Sequence, residues 1–282
     1  PERGLGLGNR EYLRKLFAHQ GLSVTALNNY LRCPLRYYFQ NLLRLVKVKD
    51  SRLIYGTLIH NSLRDFFEVY RVGGRPSKNL LIKSFKNHLA REPLASTDQT
   101  IISRRGIKTL TGYYHQYRKS FLPPLHNELS IRGVLLDGIS PLMPRLRLTG
   151  QIDKIETLDG SSVRVVDYKT GRPRTRNEIL GKTKGSDGNY WRQLLFYKLL
   201  LDRWDTGKYQ MAEGELDFIE PTPGGLYRRE IFSVTRKDTE GLVVTIRQVA
   251  AEILSLGFLD RGCRQLNCEF CRLWAMSHSS KS

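Results

Sequence analysis

The chain has 282 residues, 40% hydrophobic and 26% charged, enough apolar surface for one large core or two small ones. This composition excludes a disordered chain, and no apolar run approaches the roughly 20 residues that a membrane-crossing helix needs. Forty-six Lys and Arg against 27 Asp and Glu leave a formal net charge of +19, which points to a polyanionic partner, nucleic acid before acidic lipid.

The start, Pro1-Glu2-Arg3-Gly4, has neither an initiating Met nor the apolar stretch of a signal peptide, and reads as a piece of a longer chain or a processed terminus. Residues 1–21 are expected as a polar lead-in, with flexible linker at Gly4–Gly8 and a short helix around Arg10–His19. Ser23 is a good N-cap, and Leu27, Tyr30, Leu31, Leu35 and Tyr38 follow at helical spacing, with Pro34 kinking or breaking that helix just after Cys33. A second helix is predicted over about Thr57–Tyr70. Its apolar stripe is Ile59, Leu63, Phe66, Phe67 and Tyr70, with His60 on the same flank. Residues 76–126 read as mostly helical.

The pattern then changes. Leu146, Leu148, Gly150 and Ile152 alternate with polar residues, Val163 and Val165 do the same, and Asp159-Gly160 between them signals a hairpin turn. A buried helix follows from about Tyr190 to Trp204, then strands near 211–219 and 226–235, then a helix near 238–256. Strands interspersed with helices argue for an α/β core. Gly181-Lys182-Thr183 looks like the tail of a phosphate-binding loop, but Arg176 stands where its first glycine is required, so ATP hydrolysis is not expected.

Asp167 and Lys169 are two apart on a predicted strand and share a face. With a three-residue turn, Asp159-Gly160-Ser161, Leu158 pairs with Ser162 and Asp153 falls opposite Asp167. A two-residue turn would put Asp153 opposite Val166. Two carboxylates about 4 Å apart at an effective dielectric near 20 repel by about 4 kcal/mol, which a hard divalent cation offsets. Such a cation polarises a phosphoryl oxygen, and Lys169 could hold the attacking water or stabilise charge on the phosphate. The bland alternative is a surface ion pair between Asp167 and Lys169.

The four cysteines are Cys33 and the C-x4-C-x2-C group Cys263, Cys268 and Cys271. So few thiols in a chain of this length do not make a disulfide framework, but they complete a four-thiolate set suited to structural zinc or an iron–sulfur cluster.

In order along the chain stand S-V-T-A-L-N-N-Y-L-R-C-P-L-R-Y-Y-F (23–39), G-T-L-I-H (56–60), G-Q-I-D (150–153), V-V-D-Y-K-T-G (165–171), Q-L-L-F-Y (193–197) and the final cysteines. Together they resemble the PD-(D/E)XK nuclease superfamily, in particular its RecB/AddB-like branch with an iron–sulfur cluster. The resemblance implies a restriction-endonuclease-like core, a central mixed sheet flanked by helices. It adds a helical region and a four-cysteine cluster joining the two ends, all within one nuclease domain over 22–275 with a tail at 276–282. It implies Mg²⁺ or Mn²⁺ at His60, Asp153, Asp167 and the Tyr168 carbonyl, with Lys169 as catalytic lysine. Gln193 and Tyr197 would stand beside the site, and Cys33, Cys263, Cys268 and Cys271 would hold a 4Fe–4S cluster, zinc being the alternative. Many relatives end C-x2-C-x5-C, and this chain departs from that spacing.

Arg32, Arg36, Arg104 and Arg105 are candidate phosphate contacts. Tyr37, Tyr38, Tyr113 and Tyr114 are candidates for base stacking or for core packing. Glu128 is a candidate neighbour of the site whose position the sequence does not fix. The expected protein is a DNA nuclease acting on single strands or duplex ends. It would be the nuclease part of a helicase–nuclease in repair or recombination, with DNA and a helicase domain or subunit as partners, inside the cell and near the nucleoid. The alternatives are a CRISPR-adaptation exonuclease of the same superfamily and an inactive DNA-binding module.

Overall fold

The computed structural model describes residues 9–45, 50–141, 143–263, 265 and 267–278; the linker expected at Gly4–Gly8 and the last four residues of the expected tail lie outside them. In chain order the elements begin with α1 (Arg10–Gln20), β1 (Leu22–Ser23), α2 (Val24–Arg32), α3 (Pro34–Tyr37), α4 (Ser51–Arg71), α5 (Lys78–Leu89) and α6 (Ser96–Tyr117). There follow β2 (His126–Ser140), β3 (Met143–Asp159), β4 (Ser162–Lys169), α7 (Arg176–Ile179), α8 (Asn189–Leu201), β5 (Gln210–Phe218), β6 (Arg228–Ser233), α9 (Arg236–Ser255) and α10 (Glu269–His278). No helix among the described residues is long and apolar enough to cross a membrane.

The chain divides into two compact units: residues 1–47, 131–150 and 236–282, and residues 48–130 and 151–235. In the first, β1 pairs in parallel with the start of β3, Leu22 against Leu148 and Ser23 against Thr149. Ser23 Oγ accepts from the Ala26 amide at 3.2 Å and so starts α2. Pro34 does not kink one long helix. It opens a new one, where its missing N–H has no intrahelical partner to lose. Tyr30, Tyr37 and Phe258 meet edge to face at 5.6–6.1 Å, and the Tyr30 hydroxyl donates to Glu252 Oε2 at 2.6 Å, tying α2 to α9.

The second unit carries the rest of β3 in a mixed sheet: β3 and β4 antiparallel, β4 and β5 parallel, β5 and β6 antiparallel. Alternation along β4 sends Val166 and Tyr168 to the side of α4, α5 and α6, where Phe66, Phe67, Phe85 and Tyr113 form the core. Val165, Asp167 and Lys169 face the other side, toward α8, whose residues 194–201 are all buried. Helix α4 begins six residues before its predicted start, because Asp50 caps it by accepting from the Leu53 amide at 2.8 Å.

Two features differ from the sequence reading. β2 was not predicted: its buried residues Ile131, Val134, Leu136 and Ile139 do not keep a period of two. Left-handed residues at Glu128, Gly133 and Gly138 break the alternation. The β3–β4 turn is also shorter than the three residues expected. Asp159 pairs with Ser162, leaving two residues between, and a bulge between Thr157 and Asp159 takes up the extra one. Beyond it Thr157 pairs with Val163 and Lys154 with Val166. Continued by one residue, that register sets Asp153 opposite Asp167.

Candidate active site

Asp153 is fixed first by the backbone. Its Oδ2 accepts from the Tyr168 amide at 2.8 Å, across from its own strand, and its Oδ1 lies 3.4 Å from His60 Nδ1 on α4. Glu128, on β2, completes the group: a ligand atom from each of His60, Glu128 and Asp153 lies within 4.8 Å of the others. An imidazole and two carboxylates are a donor set that suits a hard divalent cation, so the residues present fit Mg²⁺ or Mn²⁺. Glu128 holds a left-handed φ of 56°, a strained conformation for a non-glycine residue, and receives the Gln151 side-chain amide.

The electrostatics follow from this crowding. Burial alone would lower the His60 pKa, but Asp153, Asp167 and Glu128 outweigh it and push it up to about 9. Burial and Asp153 raise the Glu128 carboxyl, against Gln151 and His60. Burial raises Asp167 while Lys169 pulls it back.

Asp167 is engaged differently. Its Oδ2 lies 2.5 Å from Lys169 Nζ, and its Oδ1 accepts from Gln193 Nε2 at 2.7 Å and from the Tyr197 hydroxyl at 2.9 Å. Lys169 Nζ also donates to Gln193 Oε1 at 2.7 Å. Gln193 and Tyr197 are one turn apart on α8 and present both groups to the same carboxylate. Asp167 therefore stands outside the three-residue donor group in this arrangement, and the Tyr168 phenol is buried on the opposite side, stacked on Phe67 at 6.2 Å.

An open cleft of about 470 Å³ reaches this centre between Arg52, Gly56, His60 and Arg64 of α4 and Glu128, Asp153 and Thr170. The four α4 positions recur every four residues and so line one face. Gly56 matters here because a Cβ would stand 3.2 Å from Thr170 Oγ1 and narrow the cleft.

Glu128, whose place the sequence left open, joins the donor group. Two residues near the site were not singled out in the sequence, Tyr190 and Arg174: the Tyr190 ring carries Lys169 Nζ 4.6 Å and the Arg174 guanidinium 4.2 Å from its centroid. Arg172 and Arg176 are paired with Glu178 and Glu230 at 2.5 and 3.8 Å, whereas among the described residues Arg174 has only the neutral Asn189 side chain at 3.4 Å and the ring. A ring orients a cation without cancelling its charge.

The other candidate phosphate contacts are dispersed. Arg105 is committed to Glu220 at 3.1 Å and lies over the Tyr55 ring, and Arg104 is exposed on α6. Arg32 and Arg36 lie in the first unit beside the cysteines. Tyr37, Tyr38 and Tyr113 are buried and pack the cores.

In the first unit the four sulfurs of Cys33, Cys263, Cys268 and Cys271 lie within 4.8 Å of one another. The Cys33–Cys271 separation is 3.8 Å, and Cys263–Cys271 and Cys268–Cys33 are each 3.7 Å. This set fits a metal centre of four thiolates.

The family profile of the PD-(D/E)XK nuclease superfamily matches residues 21–276. Among solved structures, the chain is similar to a protein from Eubacterium rectale provisionally assigned as an exonuclease, with a TM-score of 0.50 at 11% identity over 94% of this chain and 92% of that one. The likeness to SSO0001 is weaker, with a TM-score of 0.32 at 16% identity over 87% of this chain and 85% of that one. No curated protein matches the chain.

Proposed function

The chain belongs to the PD-(D/E)XK nuclease superfamily, and from that premise we propose that it is a divalent-metal-dependent deoxyribonuclease that hydrolyses phosphodiester bonds of single-stranded DNA or duplex ends. The observation that carries this reading is the meeting of a donor group, His60 from α4 with Glu128 and Asp153 from β2 and β3, with a lysine on β4 held by Asp167 and Gln193. A divalent cation, when bound, supplies Lewis-acid polarisation of the scissile phosphate. His60, Glu128 and Asp153 would hold it, with Asp167 beside them.

The chain's own groups do the rest. The Tyr168 amide locks Asp153 in place, so the carboxylate needs no reorganisation when substrate arrives. Gln193 and Asp167 aim the Lys169 ammonium, which steadies the attacking water or the charge growing on the phosphate. Arg174, oriented over Tyr190 and lacking an acidic partner among the described residues, takes a phosphate next to the scissile one. The net charge of +19 draws the polyanion in.

The broader role follows the resemblance: the nuclease part of a helicase–nuclease in repair or recombination, with a helicase domain or subunit as partner. A CRISPR-adaptation exonuclease would use the same site with other partners. An inactive DNA-binding module is disfavoured, since Asp153, Asp167 and Lys169 are all present and hydrogen-bonded or ion-paired. The test is end-labelled single-stranded DNA incubated with Mg²⁺, Mn²⁺ or EDTA. Metal-dependent shortening is expected, and DNA that is bound yet uncut under every condition would select the inactive module.

A further inference from the structure

We propose that Cys33, Cys263, Cys268 and Cys271 hold a single tetrahedral zinc ion and not the iron–sulfur cluster that the family resemblance implies. The argument is one of size. Four sulfurs each about 2.3 Å from one central zinc stand at the corners of a tetrahedron with edges of about 3.8 Å. The separations here are 3.7, 3.7 and 3.8 Å, and all four sulfurs lie within 4.8 Å of one another. In a four-iron cluster each thiolate caps a different iron, so the sulfurs stand about 6 Å apart. The space between these four takes one ion.

The local chain is shaped for that spacing. Cys33 is buried at the junction of α2 and α3, in extended backbone between two helices. Cys268 stands just ahead of α10, its carbonyl accepting from the Arg272 amide at 3.1 Å, so Cys271 follows one turn later on the same side. A Cβ on Gly262 would stand 3.0 Å from Cys271 Sγ, so a glycine leaves that sulfur room to turn inward.

Four thiolates around Zn²⁺ carry a net charge of −2. Arg32, Arg36 and Arg272, against the acidic Glu269, line the cavity beside the sulfurs and leave its charge positive, which suits an anionic centre. With all four positions filled by protein there is no open site for a substrate, so the ion is structural. It links Cys33 to Cys263, Cys268 and Cys271 within the first unit.

The experiment is elemental analysis and a visible spectrum of the whole protein, expressed in medium containing both iron and zinc and purified without oxygen. One tightly held zinc per chain in colourless protein is expected, kept in Asp153→Ala and lost in a Cys33→Ser/Cys268→Ser variant. Should the cysteine variant fail to fold, zinc-edge X-ray absorption of the unaltered protein supplies the answer, with four sulfurs at about 2.3 Å expected. Iron and acid-labile sulfide near four per chain, with brown colour and absorption near 400 nm, would overturn the proposal. So would a single iron per chain, a zinc released by Asp153→Ala, or a first shell of nitrogen and oxygen. Every readout is of metal, so the result does not depend on whether the protein cuts DNA.

Discussion

Lys169 Nζ stands 2.5 Å from Asp167 Oδ2, two residues back along the same face of β4. Alone, that would be an ordinary ion pair. What sets it apart is that Gln193 bridges the two, donating to Asp167 Oδ1 at 2.7 Å and accepting from Lys169 at 2.7 Å. Gln193 is a positioning residue for both.

Gln193→Ala is therefore expected to lower kcat by about 10–100-fold, the usual effect of removing a group that orients a catalytic centre. KM for a single-stranded oligonucleotide should stay near the wild-type value. Steady-state kinetics separate the two; a raised KM with unchanged kcat would assign Gln193 to DNA binding instead.

Arg174→Ala should act on the other parameter. Losing one charge-assisted phosphate contact weakens DNA binding by about 10-fold and makes the plot of log affinity against log salt shallower by about 0.7 for a single strand. Arg174→Lys should keep the slope while binding more weakly, because the ammonium retains the charge and loses the planar fork. Anisotropy titrations in EDTA measure this without cleavage. An unchanged slope in Arg174→Ala would remove Arg174 from the interface.

On the opposite face of the sheet, Glu215 and Asp217 are buried with Arg229, which lies 3.4 and 3.0 Å from them, and with Lys154 and Glu156, themselves paired at 2.7 Å. Burial and the neighbouring Asp217 push the Glu215 pKa up to about 7, against Arg229 and Lys154. Because the folded value lies above the ordinary 4.5, the unfolded chain ionises first as pH rises. Stability is thus lost between about pH 4.5 and pH 7, in all by about 3 kcal/mol. Glu215→Gln should flatten that slope, raising Tm at pH 8 and changing it little at pH 5. Thermal melts at the two pH values test this, and a Tm that falls more at pH 8 than at pH 5 would show that the ionised carboxylate is stabilising.

Much of this centre could be read from residue order. The alternation through Ile152 and Val165 and the Asp159-Gly160 turn lead to the facing of Asp153 and Asp167, and the spacing of Gln193 and Tyr197 sets them on one helix face. The register was reached by a different route, however. The turn is one residue shorter than expected, and the bulge at Leu158 compensates, a local packing choice that no spacing rule reveals. Glu128 could not be placed because its strand breaks alternation at left-handed positions, one of them Glu128 itself. Arg174 was hidden among Arg172 and Arg176, and only the location of Glu178 and Glu230 distinguishes it. The cysteines were legible as a set of four, while the size of what they enclose required their sulfur separations.

The central claim is that Lys169 acts with the neighbouring carboxylates in phosphodiester hydrolysis, and Lys169→Met tests it most directly. Cleavage of labelled single-stranded DNA in Mn²⁺ should fall by about 10²–10³-fold or more, as when a transition-state donor is removed, with oligonucleotide affinity in EDTA and Tm close to wild type. Cutting by Lys169→Met at the wild-type rate, or wild-type cutting that persists in EDTA, would contradict the account.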